Sequence, residues 1–382
     1  MVYMDGDVGA YQPVEVQAIY HLIEIESASH NDKLVKNIVM VDRTSPWPGV
    51  TNSNTRIYDI STSNRVLKKD MGELNMGDPK TLSDFILWTM KYYPASNYAL
   101  VLMNHGNAWK GACQDNTSGE DMLTLPDLST ALATVSSSTM KTIGLIGFDA
   151  CLMSYVEVAF QIRQYAKVMV ASEESQWCVA DGTGGWPYKS IVSTLTINAA
   201  TMTVEGLGST IVGAYATFWS QNPPPGGFPP IETMAAIRLA YVEDLVYMGI
   251  DILSASLRAF ATSYRSAIQT CRASVETFNP LAGRPSLIDL GHFVDLVSSC
   301  GIPMGRAALT SINTINNNLN WMMITSWHHP SGHPNFHGLG IYFPTVAQQL
   351  AADTDYSTIA FTGDPFGAPN WYGFLKAYHG IS

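Results

Sequence analysis

Charge is scarce in this 382-residue chain: Asp, Glu, Lys and Arg together make up 14% of it. Basic residues are the scarcer kind, 21 Lys or Arg against 32 Asp or Glu, for a formal net charge of −11. No cluster of Lys and Arg occurs, which excludes a nucleic-acid surface, since a phosphate backbone is met by grouped cations. No apolar run approaches the ~20 residues that cross a bilayer, so no membrane span is expected. No basic stretch precedes Val2-Tyr3-Met4, so the N-terminus does not read as a signal peptide. Two compartments stay open: the cytoplasm, or a secreted or periplasmic location if a leader has been removed. Cysteine is sparse too. The five are Cys113, Cys151, Cys178, Cys271 and Cys300, none in a CxxC pair, which argues against a thiolate zinc site.

What is present is a globular chain, 46% hydrophobic. Short β-branched runs alternate with helix-like stretches, the pattern of an α/β fold with a mostly parallel central sheet flanked by helices. Strands are expected at Val2–Met4, Ile38–Val41, Arg56–Ile60, Tyr98–Met103, Ile143–Phe148, Val168–Ser172, Met234–Arg238 and Gly340–Phe343. Asp78-Pro79 marks a helix start, and Leu82, Phe85, Ile86, Met90 and Tyr93 share its inner face. The spacing of Val242, Val246, Ile250, Leu253, Leu257, Phe260, Tyr264 and Ile268 predicts one long amphipathic helix. Asn222–Pro230 is too rich in proline and glycine for regular structure and reads as a surface loop. The expected division is a sheet domain over 1–239. A mainly helical C-terminal region follows over 240–382, with a final strand near 340–344.

Two buried strands run into reactive side chains. Tyr98–Met103 leads to Asn104-His105-Gly106, and Ile143–Phe148 leads to Asp149-Ala150-Cys151. Taken singly, a strand-end cysteine is ordinary packing and a His-Gly is an ordinary turn. As neighbours in a parallel sheet they would meet at its C-terminal edge, where ligands bind. A helix after Cys151 would place the thiol at a helix N-terminus, which favours thiolate. N–H groups of Gly106 and Cys151 could then form an oxyanion hole.

The Asn104-His105-Gly106 element, with Asp149-Ala150-Cys151-Leu152-Met153 and then Glu157-Val158-Ala159, resembles the clostripain family of cysteine peptidases. Leu74–Leu82, Ala171-Ser172-Glu173-Glu174, Gly185-Trp186-Pro187-Tyr188 and Gly340-Ile341-Tyr342-Phe343-Pro344 carry the likeness further. That resemblance implies a caspase-like fold, shared more distantly with legumain and gingipains. It implies a His105–Cys151 dyad and cleavage of peptides and proteins after Arg or Lys, with Asp149 lining the pocket for that residue. Asp181 is a second candidate for the pocket. A carboxylate two residues from the nucleophile is also a sensible partner for a cationic side chain on chemical grounds alone. Three departures stand out: Asn107-Ala108-Trp109 where the family has more glycine, no Lys or Arg between Gly111 and Met140 for self-cleavage, and the longer linker Gln176–Ala180.

Other readings compete. His328, His329, His333 and His337 could hold a metal for a hydrolase, although Pro330, Gly332 and Pro334 prevent the helix that would align them. A non-catalytic binding protein on the peptidase fold is the third reading. No cofactor is required; calcium is an open question, with Asp115, Glu120 and Asp121 nearby but not at EF-hand spacing. A monomer is expected. The cysteines allow either free thiols throughout, or Cys113–Cys178 and Cys271–Cys300 bridges that leave Cys151 alone.

Overall fold

The computed structural model describes residues 1–8, 12–31, 33–44, 54–61, 64–178, 183–224, 229–278 and 286–381. Strands β1 (Val2–Gly6) and β2 (Asn37–Arg43) pair in parallel, and β3 (Arg56–Ser61) and β4 (Asn64–Asp70) extend that side antiparallel. β5 (Ala99–Met103) lies on the other side of β1 and is followed by a small hairpin, β6 (Ala112–Asp115) with β7 (Asp121–Leu123). β8 (Ile143–Asp149) and β9 (Ala166–Ala171) add in parallel, and β10 (Thr233–Arg238) adds antiparallel. β11 (Thr277–Phe278), β12 (Leu287–Asp289), β13 (Met323–His328) and β14 (Gly340–Tyr342) complete the set. β13 closes the edge beyond β10, giving a nine-stranded order β13-β10-β9-β8-β5-β1-β2-β3-β4, while β11, β12 and β14 form a separate sheet. The five central strands are parallel, the caspase-like α/β arrangement expected above.

Each expected strand forms, because each is apolar on at least one face. β8 is buried along its whole length, as a strand covered on both sides must be. Helices α1 (Gln12–Ser27), α2 (Pro79–Tyr92), α3 (Leu125–Thr139), α4 (Val156–Ile162), α5 (Tyr188–Ile197) and α6 (Val204–Gln221) cover the sheet. α1, α5 and α6 pack on one face through Leu22, Ile191 and Trp219, and α2, α3 and α4 on the other through Phe85, Leu132 and Phe160. The second cluster continues through Leu257 and Ile315 to Trp371 and Phe374, so residues beyond 239 share the sheet's core. α2 starts as expected: Asp78 accepts from Lys80 N–H at 2.7 Å, with Pro79 opening the first turn.

Two expectations are corrected here. The helix expected over 242–268 passes through a π segment at Leu245–Asp251, ends at Phe260 and restarts at Arg265–Ser274. Gly249 in the π segment lets Ile315 approach closely, since a Cβ there would lie 2.6 Å from its Cγ1. The cysteines follow neither scheme. Cys271 and Cys300 form a disulfide with Cα atoms 6.1 Å apart, while Cys113, Cys151 and Cys178 are free. Alkylation of the unreduced, denatured protein should therefore label three cysteines and leave two for a second label after reduction. Five labelled at the first step would contradict the bridge. The Asn222–Pro230 loop falls partly outside the described residues, at 225–228. Among the described residues no helix is long and apolar enough to cross a membrane.

Candidate active site

Register brings the two reactive side chains together. In the parallel pair β5–β8, Met103 lies opposite Asp149. His105 and Cys151 each follow two residues later, so both leave the same sheet edge level with each other, on strands about 4.8 Å apart. Asn104 holds its turn in place: its Nδ2 donates to Asp5 O at 2.6 Å, and its Oδ1 accepts from the His105 and Gln114 N–H groups. Cys113 N–H donates to His105 O at 3.1 Å, and Asn107 N–H to Gly111 O at 2.9 Å; neither bond uses the Gly106 N–H. A Cβ at Gly106 would collide with the Cys151 carbonyl oxygen, so only glycine lets these two turns touch. Ala108 adopts φ 50°, a left-handed conformation that glycine takes without strain, which accounts for what glycine would do at this departure from the family. Trp109 is buried against Tyr342 and Tyr356.

Cys151 does not sit at a helix N-terminus, contrary to expectation. The chain first makes a tight turn with Leu152 at φ 59°, and α4 begins only at Val156. The Ser172–Gln176 segment holds this turn. Ser154 N–H donates to Ser172 O at 2.8 Å, Leu152 N–H to Glu174 O at 3.2 Å, and Tyr155 Oη to Glu173 O at 2.9 Å. The family-like Ala171–Glu174 stretch thus serves as a backbone cradle for the Cys151 turn. Gln176 lies against the sulfur itself, its N–H 3.2 Å from Cys151 Sγ and its carbonyl oxygen 3.7 Å away. Its side-chain Nε2 donates to Ala150 O at 2.8 Å, which pins the segment there.

These surroundings set the protonation state. Burial pushes the Cys151 thiol up to about 11; the Gln176 N–H opposes this, and Glu174 and Asp149 add to it. Burial pushes the His105 imidazole below its usual value. Both shifts favour the uncharged forms, thiol for Cys151 and imidazole for His105, in the free protein. Without a helix dipole to lower it, alkylation of Cys151 by iodoacetamide should climb roughly tenfold per pH unit between about pH 8 and pH 10. A rate already flat below about pH 7 would show a resident ion pair instead.

Asp149 is buried at 5% exposure, at the end of β8. Its Oδ2 lies 3.3 Å from His21 Nε2 on α1, and its Oδ1 accepts from Trp186 N–H at 3.2 Å. His21 Nδ1 in turn lies 3.3 Å from Glu24 Oε2, which also accepts from Tyr188 N–H at 3.2 Å. Burial alone would lower the His21 imidazole, but its bonds to Asp149 and Glu24 more than reverse this and raise it to about 9. Glu24, His21 and Asp149 form a chain of alternating formal charge, net −1. Asp181 lies outside the described residues.

The histidine cluster does not assemble. His333 bridges Glu174 and Glu276 at 3.3 and 3.0 Å, His337 bonds Asp289 at 2.9 Å, and His328 stacks on Phe336. Of the acidic residues considered for calcium, Asp115 is buried, whereas Glu120 and Asp121 are exposed, Asp121 accepting from Asn75 Nδ2 at 2.6 Å. His21 carried no sequence signal, and Gln176 stood out only as the start of a longer linker; tertiary docking brings both to the site.

Sheet order, a level His–Cys pair and a glycine wedged between their turns define a caspase-like α/β protein that presents a histidine and a cysteine at one sheet edge. The chain belongs to the clostripain family, whose family model matches residues 2–362. It is 28% identical over 213 residues to clostripain of Hathewaya histolytica, a match covering 46% of this chain and 39% of that protein. The chain therefore matches well under half the length of this curated relative. Its fold is like that of a secreted C11 cysteine protease from Bacteroides thetaiotaomicron, solved with an irreversible peptide inhibitor. The TM-score is 0.67 at 18% identity, covering 98% of this chain and 97% of that one. An inactive zymogen C11 protease from Parabacteroides distasonis gives 0.66 at 19% identity, covering 95% and 96%.

Proposed function

We propose that this protein is a cysteine endopeptidase that cuts after Arg or Lys, with Cys151 as nucleophile and His105 as its proton partner. The observation that carries this reading is the β5–β8 register, which sets the two side chains level at one sheet edge. Membership of the clostripain family supports it.

Because both groups start neutral, catalysis begins with transfer. His105 takes the thiol proton as Cys151 Sγ attacks the scissile carbonyl carbon. The carbonyl oxygen becomes an oxyanion facing the Gly106 and Cys151 N–H groups. His105 then gives the proton to the leaving amine, the C–N bond breaks, and a thioester remains on Cys151. Water, losing a proton to His105, attacks the thioester; the acid product leaves and the thiol is restored. Gln176, seated on Sγ, must give way or share the sulfur during attack.

The cationic side chain before the cut bond (P1) is drawn by the net charge of the Glu24–His21–Asp149 chain, with Asp149 nearest the nucleophile. No basic residue lies between Gly111 and Met140, so an intact chain is expected to work without a cut in that stretch. A fluorogenic peptide panel tests the reading. Turnover of P1 Arg or Lys peptides, blocked by iodoacetamide and insensitive to the zinc chelator 1,10-phenanthroline, is expected. Sensitivity to that chelator would favour a metal hydrolase, and no turnover across the panel would favour a binding protein.

A further inference from the structure

The loop between β13 and β14 carries a histidine that the proposed mechanism leaves unused. His333 is 6% exposed and lies between two carboxylates. Its Nδ1 is 3.0 Å from Glu276 Oε1, just before β11, and its Nε2 is 3.3 Å from Glu174 Oε2, just after β9. Asn335 holds the other Glu276 oxygen, its N–H and Nδ2 donating at 3.4 and 3.2 Å. The Phe278 ring packs against the imidazole, with centroids 4.9 Å apart. A third carboxylate, Glu232 before β10, is fully buried, with both oxygens sealed and without a hydrogen-bond partner. It is close enough to feel the charges of Glu174 and His333. Glu173, also fully buried, faces Asp289, Glu174 and Glu276, and His337 holds Asp289 at 2.9 Å.

Carboxylates grouped this way and this dry repel one another unless a cation stands among them. An imidazolium donates at both nitrogens, so His333 can meet Glu174 and Glu276 together. Burial alone would lower this imidazole, but the two carboxylates raise it to about 9. Its stabilising contribution is therefore complete below about pH 6.5 and is lost as pH rises through about 9.

Glu174 is where this cluster meets the Cys151 turn. Its carbonyl oxygen accepts from Leu152 N–H at 3.2 Å, and its Oε1 accepts from Ser175 N–H at 2.6 Å. Ser175 precedes Gln176, whose N–H lies 3.2 Å from Cys151 Sγ. A shift of the Glu174 carboxylate thus reaches the sulfur through a single intervening residue.

We propose that His333 is a positioning residue for Cys151: it ties Glu174 to Glu276, and through Glu174 it fixes the turn and the Gln176 N–H that flank the sulfur. Its effect on turnover rests on the peptidase reading, whereas the contacts themselves do not. His333 and Glu276 both come from beyond residue 239, so this role makes the C-terminal region part of the site.

Peptidase kinetics paired with NMR of the full chain test this. In the parent, the Leu152 and Ser175 amide resonances should move with a midpoint near pH 9, together with the His333 ring, and kcat should decline over the same range. At about pH 7.5, His333→Gln should lower kcat roughly 10- to 100-fold, the scale of a misplaced reacting atom. Its KM should change less than about twofold, and the decline near pH 9 should vanish. Glu276→Gln changes a side chain 15% exposed that can still bond His333, so the fold should hold. Both midpoints should then fall by at least about one pH unit. His21 is also raised to about 9, but both variants keep it, so a difference from the parent belongs to His333. Leu152 and Ser175 resonances that stay flat while His333 titrates would overturn the proposal, as would a kcat midpoint unmoved in Glu276→Gln. Resonances that move in a protein without turnover would uphold the coupling of His333 to the Cys151 turn and remove the peptidase reading alone.

Discussion

Cys151→Ala should lower peptide hydrolysis at least about 10⁴-fold, and His105→Ala by a similar factor, because the two act as one unit. Neither change should unfold the protein. Cys151 and His105 are only partly buried, and their turns are held by backbone bonds from Ser172–Gln176 and by Asn104, which both variants keep. Circular dichroism and Tm should stay near those of the parent. Cys178→Ala, at another partly buried free thiol, should retain activity and so serve as the control. Parent-like turnover in either Cys151→Ala or His105→Ala would remove the dyad.

Asp149→Asn should lower kcat/KM for P1 Arg and Lys peptides by roughly 10- to 100-fold, the scale of one lost charged hydrogen bond. Turnover of neutral P1 peptides should change far less. The buried His21 imidazolium already faces Asp149, so the change also leaves that cation with Glu24 as its remaining carboxylate partner. The Glu24–His21–Asp149 chain then falls from net −1 to zero, and the attraction for a cationic side chain falls with it. Equal losses for basic and neutral peptides would make Asp149 a structural support for His21 and not a specificity residue. Best cleavage after an apolar or acidic residue in the parent would refute the basic preference outright.

The sheet was legible because its central strands are covered on both faces and so read as unbroken apolar runs; β8, buried throughout, is the clearest. β4 was not, since Asn64–Asp70 is an edge strand exposed along most of its length, with Lys68 and Lys69 in it. The His–Cys pair was legible because both residues follow such strands directly. The turn after Cys151 was not: Leu152, Tyr155 and Val156 have helical spacing, yet Leu152 takes φ 59° and its N–H bonds Glu174 across the sheet edge. Local periodicity cannot register that long-range bond. His21 sits among Ala18, Leu22 and Ile25 on α1, and only docking of α1 sets it against Asp149.

The most direct test of the central claim is covalent. A peptidyl acyloxymethyl ketone with P1 Lys should inactivate the enzyme and add one mass equivalent to the peptide that contains Cys151. The same reagent with P1 Asp should react far more slowly, and Cys151→Ala should take up neither. Labelling at Cys178 or elsewhere with Cys151 unmodified, or equal rates for the two reagents, would contradict the account.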